Sequence, residues 1–233
     1  MCGRYVIAAA LPELAAFLAA GVSEELAEQF HPSWNVPPTA SVPALTLEHG
    51  ERRLGRFDWG LIPPWAKQRT IGARTFNARA ESVATKPTFR SAFFTRRCLV
   101  PAAPGFYEWS RGPVDRKTPY LFERVDGDPM VFAGLWEVWR PGPGEAWTRS
   151  CTIITAPASS DVAPVHDRQP VLLERDAWDR WLDPALRDRD ELEAMLIASP
   201  PGTMRRYEVS RDVGSTRNDS PDLTEPVASS RLL

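Results

Sequence analysis

The chain has 233 residues, 43% of them hydrophobic and 25% charged, and its formal net charge is -2. That length fits one large domain or two small ones with a sizeable core. The near-zero charge excludes a globally basic nucleic-acid binder while leaving room for a local basic face, and no stretch approaches the roughly 20 apolar residues that span a bilayer.

Residues 2–8 read as a first strand, and residues 12–20 as a helix with Leu11, Leu14 and Leu18 near one face. Ser23 is placed to cap a second helix ending near Gln29, with Glu24 and Glu25 in its first turn. Residues 34–39 carry Pro37 and Pro38 and read as an ordered loop. Residues 42–47 and 53–59 read as strands joined by a turn at His49-Gly50. Residues 62–75 read as a loop, and residues 77–84 as the start of a helix. Strands are expected at 97–102, 106–109, 120–124, 130–139, 147–155 and 171–173, and helices at 176–182 and 189–198. From about residue 214 a polar tail follows, with Val213 and Pro226 suggesting that it lies against the body. Many short strands with helices at both ends imply one α+β domain over residues 1–233, built on a curved, mainly antiparallel, barrel-like sheet.

Charge is unevenly placed. Between residues 67 and 97 there are eight basic side chains and one acid, Glu81. Between residues 174 and 193 there are eight acids and four arginines. A basic side opposite an acidic one would suit a polyanion; two ordinary solvated faces would give the same pattern.

Five features carry chemistry. Cys2 becomes an N-terminal cysteine if Met1 is removed. Its amine (pKa about 7.7–8.0) and thiol (about 8.5) would then share one Cα. A 1,2-aminothiol condenses with an aldehyde to an imine and closes to a thiazolidine, which no internal cysteine can do. The plainer reading is a small buried residue. His166, in Val165-His166-Asp167-Arg168-Gln169-Pro170, is one of three histidines and suits proton transfer, with Arg168 able to grip phosphate; a structural loop histidine fits equally. Glu108, flanked by Tyr107 and Trp109, is an acid–base candidate, or simply the solvent face of a strand. Asn77 suits orientation of a reacting group or a helix cap, and Arg79 suits phosphate binding. Trp65, after Pro63-Pro64, suits base stacking, whereas Trp59 suits the core. The three cysteines, Cys2, Cys98 and Cys151, are too scattered for a disulfide framework or metal cluster, which points to a reducing cytoplasm.

Eight segments, in order from about residue 2 to 220, resemble the SOS-response-associated peptidase (SRAP) family: Met1-Cys2-Gly3-Arg4-Tyr5, Trp34 to Thr39, Trp59 to Trp65, Asn77 to Glu81, Arg97 to Pro101, Gly105 to Trp109, Val165 to Pro170 and Val213 to Asp219. Pro37, Gln169 and the Leu61-Ile62 pair depart from the usual pattern without touching a catalytic position. The resemblance implies capture of abasic sites in single-stranded DNA, with a thiazolidine formed at Cys2. Glu108 would deprotonate the amine, His166 would assist sugar ring opening, and Asn77 would orient the sugar or the Cys2 backbone. Arg4, Arg79, Lys86, Thr155 and Arg168 would contact the strand, with Trp65 stacking near a kink. The resemblance implies no cofactor, no metal and no membrane, and a monomer is the default. Two rivals stand beside it. One is a cysteine peptidase using the Cys2 thiol with His166 as base; the other is a non-covalent single-stranded DNA-binding module.

Overall fold

The computed structural model describes residues 2–110 and 117–227. Its elements begin with β1 (Tyr5–Ile7), α1 (Leu11–Leu18), β2 (Gly21–Val22), α2 (Glu24–Gln29) and β3 (Ser33–Val36). There follow β4 (Ser41–Glu48), β5 (Glu51–Trp59), β6 (Asn77–Arg79), α3 (Arg90–Thr95), β7 (Arg97–Ala102) and β8 (Gly105–Trp109). The rest are β9 (Pro119–Arg124), β10 (Met130–Trp139), β11 (Thr148–Pro157), β12 (Arg168–Pro170), α4 (Trp178–Leu182), α5 (Arg189–Ala194) and β13 (Met204–Glu208).

The architecture is α+β. Strands β5, β4, β7, β10 and β11 pair in sequence, and β11 returns to β5 through the parallel pairs Ser150–Asp58 and Cys151–Trp59. The ring is therefore a closed five-stranded barrel, antiparallel everywhere except at that seam. A second, antiparallel sheet runs in the order β13-β9-β8-β1-β3. Aromatic rings join the two: Tyr5 of β1 stands edge-on to Trp59 at 5.0 Å and Phe132 at 6.4 Å, and Phe106 of β8 meets Phe132 at 6.0 Å. One core spans both sheets, and a smaller cluster of Val6, Tyr107, Leu121, Tyr207, Val209, Val213 and Leu223 lies on the other face of the second sheet.

Local chemistry explains several elements. The Ser23 hydroxyl accepts from the Leu26 N–H and starts α2. His49 and Gly50 both take positive φ, 53° and 85°, the geometry of a two-residue hairpin turn. Gly105 admits no side chain, because a Cβ there would lie 1.8 Å from the Phe122 carbonyl oxygen.

Other expectations are corrected. Residues 33–36 form a strand; Pro37 and Pro38 end it, and β3 is a sheet edge, where a missing N–H breaks no ladder. Residues 77–79 form a strand on β11, so Asn77 caps no helix: the 3-10 turn Ala80–Ser82 begins only after Arg79. Tertiary pairing outweighs local propensity there. The strand expected at 171–173 falls at 168–170, and Leu172 makes only an isolated bridge to Phe132. Three of the strands and α-helices escaped the sequence reading: β2, two residues long, α3, six residues long, and β13, whose Met204-Arg205-Arg206-Tyr207-Glu208 lacks clear alternation. The tail does lie against the body, with Val213 buried and Pro226 bridged to Val209. Among the described residues no helix is long and apolar enough to cross a membrane.

Candidate functional site

Cys2 precedes β1, which is clamped between β3 and β8. The residue is fully buried. Its backbone is fixed from a distant part of the chain, since Asn77 Nδ2 donates to the Cys2 carbonyl at 2.7 Å. Asn77 Oδ1 is buried and accepts no hydrogen bond, which leaves an acceptor beside Cys2.

Glu108 reaches the same place through strand alternation. Phe106 of β8 packs into the main core and Tyr107 into the smaller cluster, so Glu108 shares the core side with Phe106. It is buried and does not take the solvent position open to an alternating strand. Burial pushes its carboxyl up to about 7, and the nearby charge of Asp167 pushes the same way. The Cys2 thiol is pushed well above its ordinary range, first by burial and then by the charge of Glu108. The effect of Glu108 on Cys2 puts the carboxyl and the thiol in one electrostatic neighbourhood.

The end of β11 supplies the third part. Strand β6 runs parallel to it through Ile153–Asn77 and Thr155–Arg79, and β12 runs antiparallel through Thr155–Pro170 and Pro157–Arg168. One strand end thus gathers Asn77, Arg79, Thr155 and Arg168. Both main-chain polar groups of Arg168 face His166 Nδ1, its N–H at 3.0 Å as a donor and its carbonyl at 3.2 Å as an acceptor for a protonated Nδ1. Asp167 Oδ1 lies 3.2 Å from the same Nδ1 and favours a charged ring. The Arg168 guanidinium is itself held: Glu81 accepts at 2.6 and 3.0 Å, and the Thr155 carbonyl and hydroxyl accept further bonds.

Arg4 also faces inward. Its Nη1 donates to Asn35 Oδ1 at 2.7 Å and to the Val213 carbonyl at 2.9 Å, and its guanidinium lies 5.9 Å from the Trp109 ring centre. Buried Asn35 donates in turn to the carbonyls of Ser215 at 2.9 Å and Asn218 at 2.7 Å. Asn35 therefore ties the chain's end to the Cys2 strand. Its replacement by leucine would take an acceptor from the half-buried Arg4 guanidinium and a donor from the carbonyls of Ser215 and Asn218, which belong to exposed residues. The expected loss is about 1–3 kcal/mol of unfolding free energy, read by urea denaturation.

Of the other sequence candidates, Arg79 and Lys86 are exposed, with the Lys86 ammonium 5.4 Å from the Phe89 ring centre. Trp65 is 60% exposed beside a cleft lined by Lys67, Gln68, Thr70, Ile71 and Arg74, whereas Trp59 is buried and donates to the Phe76 carbonyl. Not all of the basic run is surface. Arg97 is buried, and its guanidinium donates to the carbonyls of Phe93, Trp181, Asp183 and Leu186, so the basic and acidic stretches touch there instead of lying opposite. Sequence reasoning passed over Asn35 and Glu81. Both lie inside quoted motifs, but only their partners, 31 and 87 positions away, give them work. All three cysteines are free and buried, and among the described residues no group of His, Cys, Asp and Glu is assembled to hold a metal ion.

Comparisons with known proteins place this geometry in a family. The abasic site processing protein YoqW of Bacillus subtilis is 36% identical over 226 residues, covering 97% of this chain and 99% of its own length. The abasic site processing protein HMCES of Gallus gallus is 32% identical, covering 85% of this chain and 67% of its own length. A crystal structure of a Bacteroides thetaiotaomicron protein superposes with a TM-score of 0.86 at 23% identity over 97% of this chain and 99% of that one, which establishes the shared fold. The model of the family described as SOS response associated peptidase (SRAP) matches residues 1–216, and the chain belongs to that family.

Proposed function

We propose that this chain, acting as one SRAP domain, captures abasic sites in single-stranded DNA as a covalent adduct of Cys2 once Met1 has been removed. The observation that carries this reading is the convergence on Cys2 of two groups distant in sequence: the Asn77 amide on its carbonyl and the Glu108 carboxyl acting on its thiol. Relatives named as abasic site processing proteins support the choice of lesion.

The chemistry balances without an oxidant or cofactor. The Cys2 amine adds to the C1′ aldehyde of the ring-opened sugar, and loss of one water gives an imine. The thiol sulfur then bonds to the imine carbon while its proton passes to the nitrogen, closing the thiazolidine. A carboxyl poised near 7 is suited to accept the amine's proton and return one to the departing hydroxyl. His166 is the proton donor for opening the sugar ring in this reading. Asn77 holds the Cys2 backbone and offers Oδ1 to the amine or a sugar hydroxyl. Exposed Arg79, Lys86 and Trp65 provide strand contacts, and Thr155 lies at the same edge. The protein works as a cytoplasmic monomer in this reading.

A peptidase would need the Cys2 thiolate, and burial together with the charge of Glu108 disfavours that form. The amine route needs the thiol only after the imine exists.

The test is a denaturing gel of protein, shown by mass spectrometry to lack Met1, mixed with single-stranded DNA bearing one abasic site. A heat-stable band containing protein and DNA is expected. It is expected to disappear when one extra residue precedes Cys2. A band that survives that extension would point to thiol-only chemistry, and its absence from processed protein would sink the proposal.

A further inference from the structure

Arg168 is expected from the family resemblance to hold phosphate, yet its donors are already engaged. Of five guanidinium N–H groups, Glu81 takes two in a fork and Thr155 takes two more through its carbonyl and hydroxyl. A phosphate reaching this fork would have to displace Glu81. The same residue's main chain does different work: its N–H at 3.0 Å and its carbonyl at 3.2 Å both face His166 Nδ1, the first suiting an unprotonated nitrogen and the second a protonated one. The Asp167 carboxylate, 3.2 Å from Nδ1, also favours a proton there. Which form prevails depends on how firmly the Arg168 backbone is held. β12 supplies one anchor, through Pro157–Arg168, and the Glu81 fork supplies the other.

We propose that Glu81 is a positioning residue for the Cys2 reaction: it clamps Arg168, and through the Arg168 main chain it holds the His166 ring in place. This rests on the proposed abasic-site chemistry. Glu81 never touches the lesion in this account. Its exposed carboxylate lies on the 3-10 turn Ala80–Ser82 that follows β6, so the Asn77 strand and the His166 loop are joined side chain to side chain. Asn77 and His166 then move as one unit against Cys2.

The experiment compares Met1-free wild type, Glu81→Ala and Glu81→Gln. Gln keeps one carbonyl acceptor for the fork and serves as the conservative rescue. Three quantities are read: the adduct-forming rate at saturating abasic DNA, the Kd for undamaged single-stranded DNA by anisotropy, and the ring 15N spectrum of His166, assigned with His166→Gln. The expected result is a rate at least 10-fold lower in Glu81→Ala and intermediate in Glu81→Gln, with Kd within twofold of wild type. The His166 ring 15N signals of Glu81→Ala should shift from their wild-type positions as the ring loses its fixed Arg168 contacts. Tighter binding of undamaged DNA on removal of Glu81 would show that Glu81 masks a phosphate-gripping Arg168, and would overturn the proposal. Unchanged rate and spectrum would overturn it as well. If wild type itself forms no adduct, the proposed function falls, and that outcome is distinct from a wild type that reacts and a Glu81 variant that reacts equally fast.

Discussion

Met1-free Cys2→Ala protein, mixed with single-stranded DNA bearing an abasic site, is expected to give no heat-stable adduct, yet to give one when borohydride is present. Alanine keeps the α-amine and loses only the sulfur. The amine still adds to the aldehyde and still loses water, so the imine forms and hydride reduces it to a stable amine. Without hydride the imine has no internal nucleophile to close on and returns to the aldehyde by hydrolysis. Cys2 is fully buried, and Asn77 holds the backbone carbonyl rather than the side chain, so the exchange leaves that hydrogen bond in place. A band with borohydride and none without it separates aminothiol capture from both rivals. A thiol peptidase predicts no band in either lane, and a non-covalent DNA binder predicts no dependence on Cys2.

Glu108→Gln is expected to slow adduct formation about 100-fold or more, the range in which removal of a general acid–base group falls. The wild-type rate should rise with pH through about 7 as Glu108 loses its proton, and the variant should lack that limb. The same substitution should stabilise the fold at high pH. Between its ordinary value of 4.5 and about 7, the folded chain binds a proton that the unfolded chain has released, so stability falls as pH rises across that window. Above it the ionised carboxylate costs about 3 kcal/mol, from that difference at ~1.4 kcal/mol per pH unit. Urea unfolding of protein that retains Met1 should therefore show Glu108→Gln gaining stability of that order at pH 8 and little at pH 4.5. A variant that is less stable at both pH values would mean that Glu108 holds the fold together rather than being held under strain by it.

Much of the strand set was legible because its signals are local. Residues 97–102 and 130–139 alternate or run apolar between turn residues, and both bounds match the observed strands. Ser23 announced α2 because a cap needs only three neighbouring residues. What escaped depends on partners far away. Residues 77–79 look helical in isolation and become a strand because β11 offers an open edge. The barrel seam is a parallel pairing of β5 with a strand about ninety residues later, and no periodicity encodes it. The site divides in the same way. Cys2 stands out through the chemistry of its position, but nothing near Glu108 says which face of β8 it takes; that follows only once Phe106 and Tyr107 are assigned to opposite cores. Arg4 and Arg168 read as free cations, and the fold gives them Asn35 and Glu81.

The burial of Cys2 sets a schedule for the chain's own synthesis. The reactive amine exists only once Met1 is gone, and the folded chain encloses the Cys2 side chain completely. That enclosure needs β8, which pairs with β1 and brings Glu108, so it cannot be complete before residue 109 has left the ribosome. At roughly 5–20 residues per second, the Cys2 side chain stays open for at least roughly 5 s of synthesis. On the proposed chemistry, a chain that keeps Met1 folds and forms no adduct. Overexpression that outruns methionine removal should therefore lower the active fraction without changing the amount of folded protein.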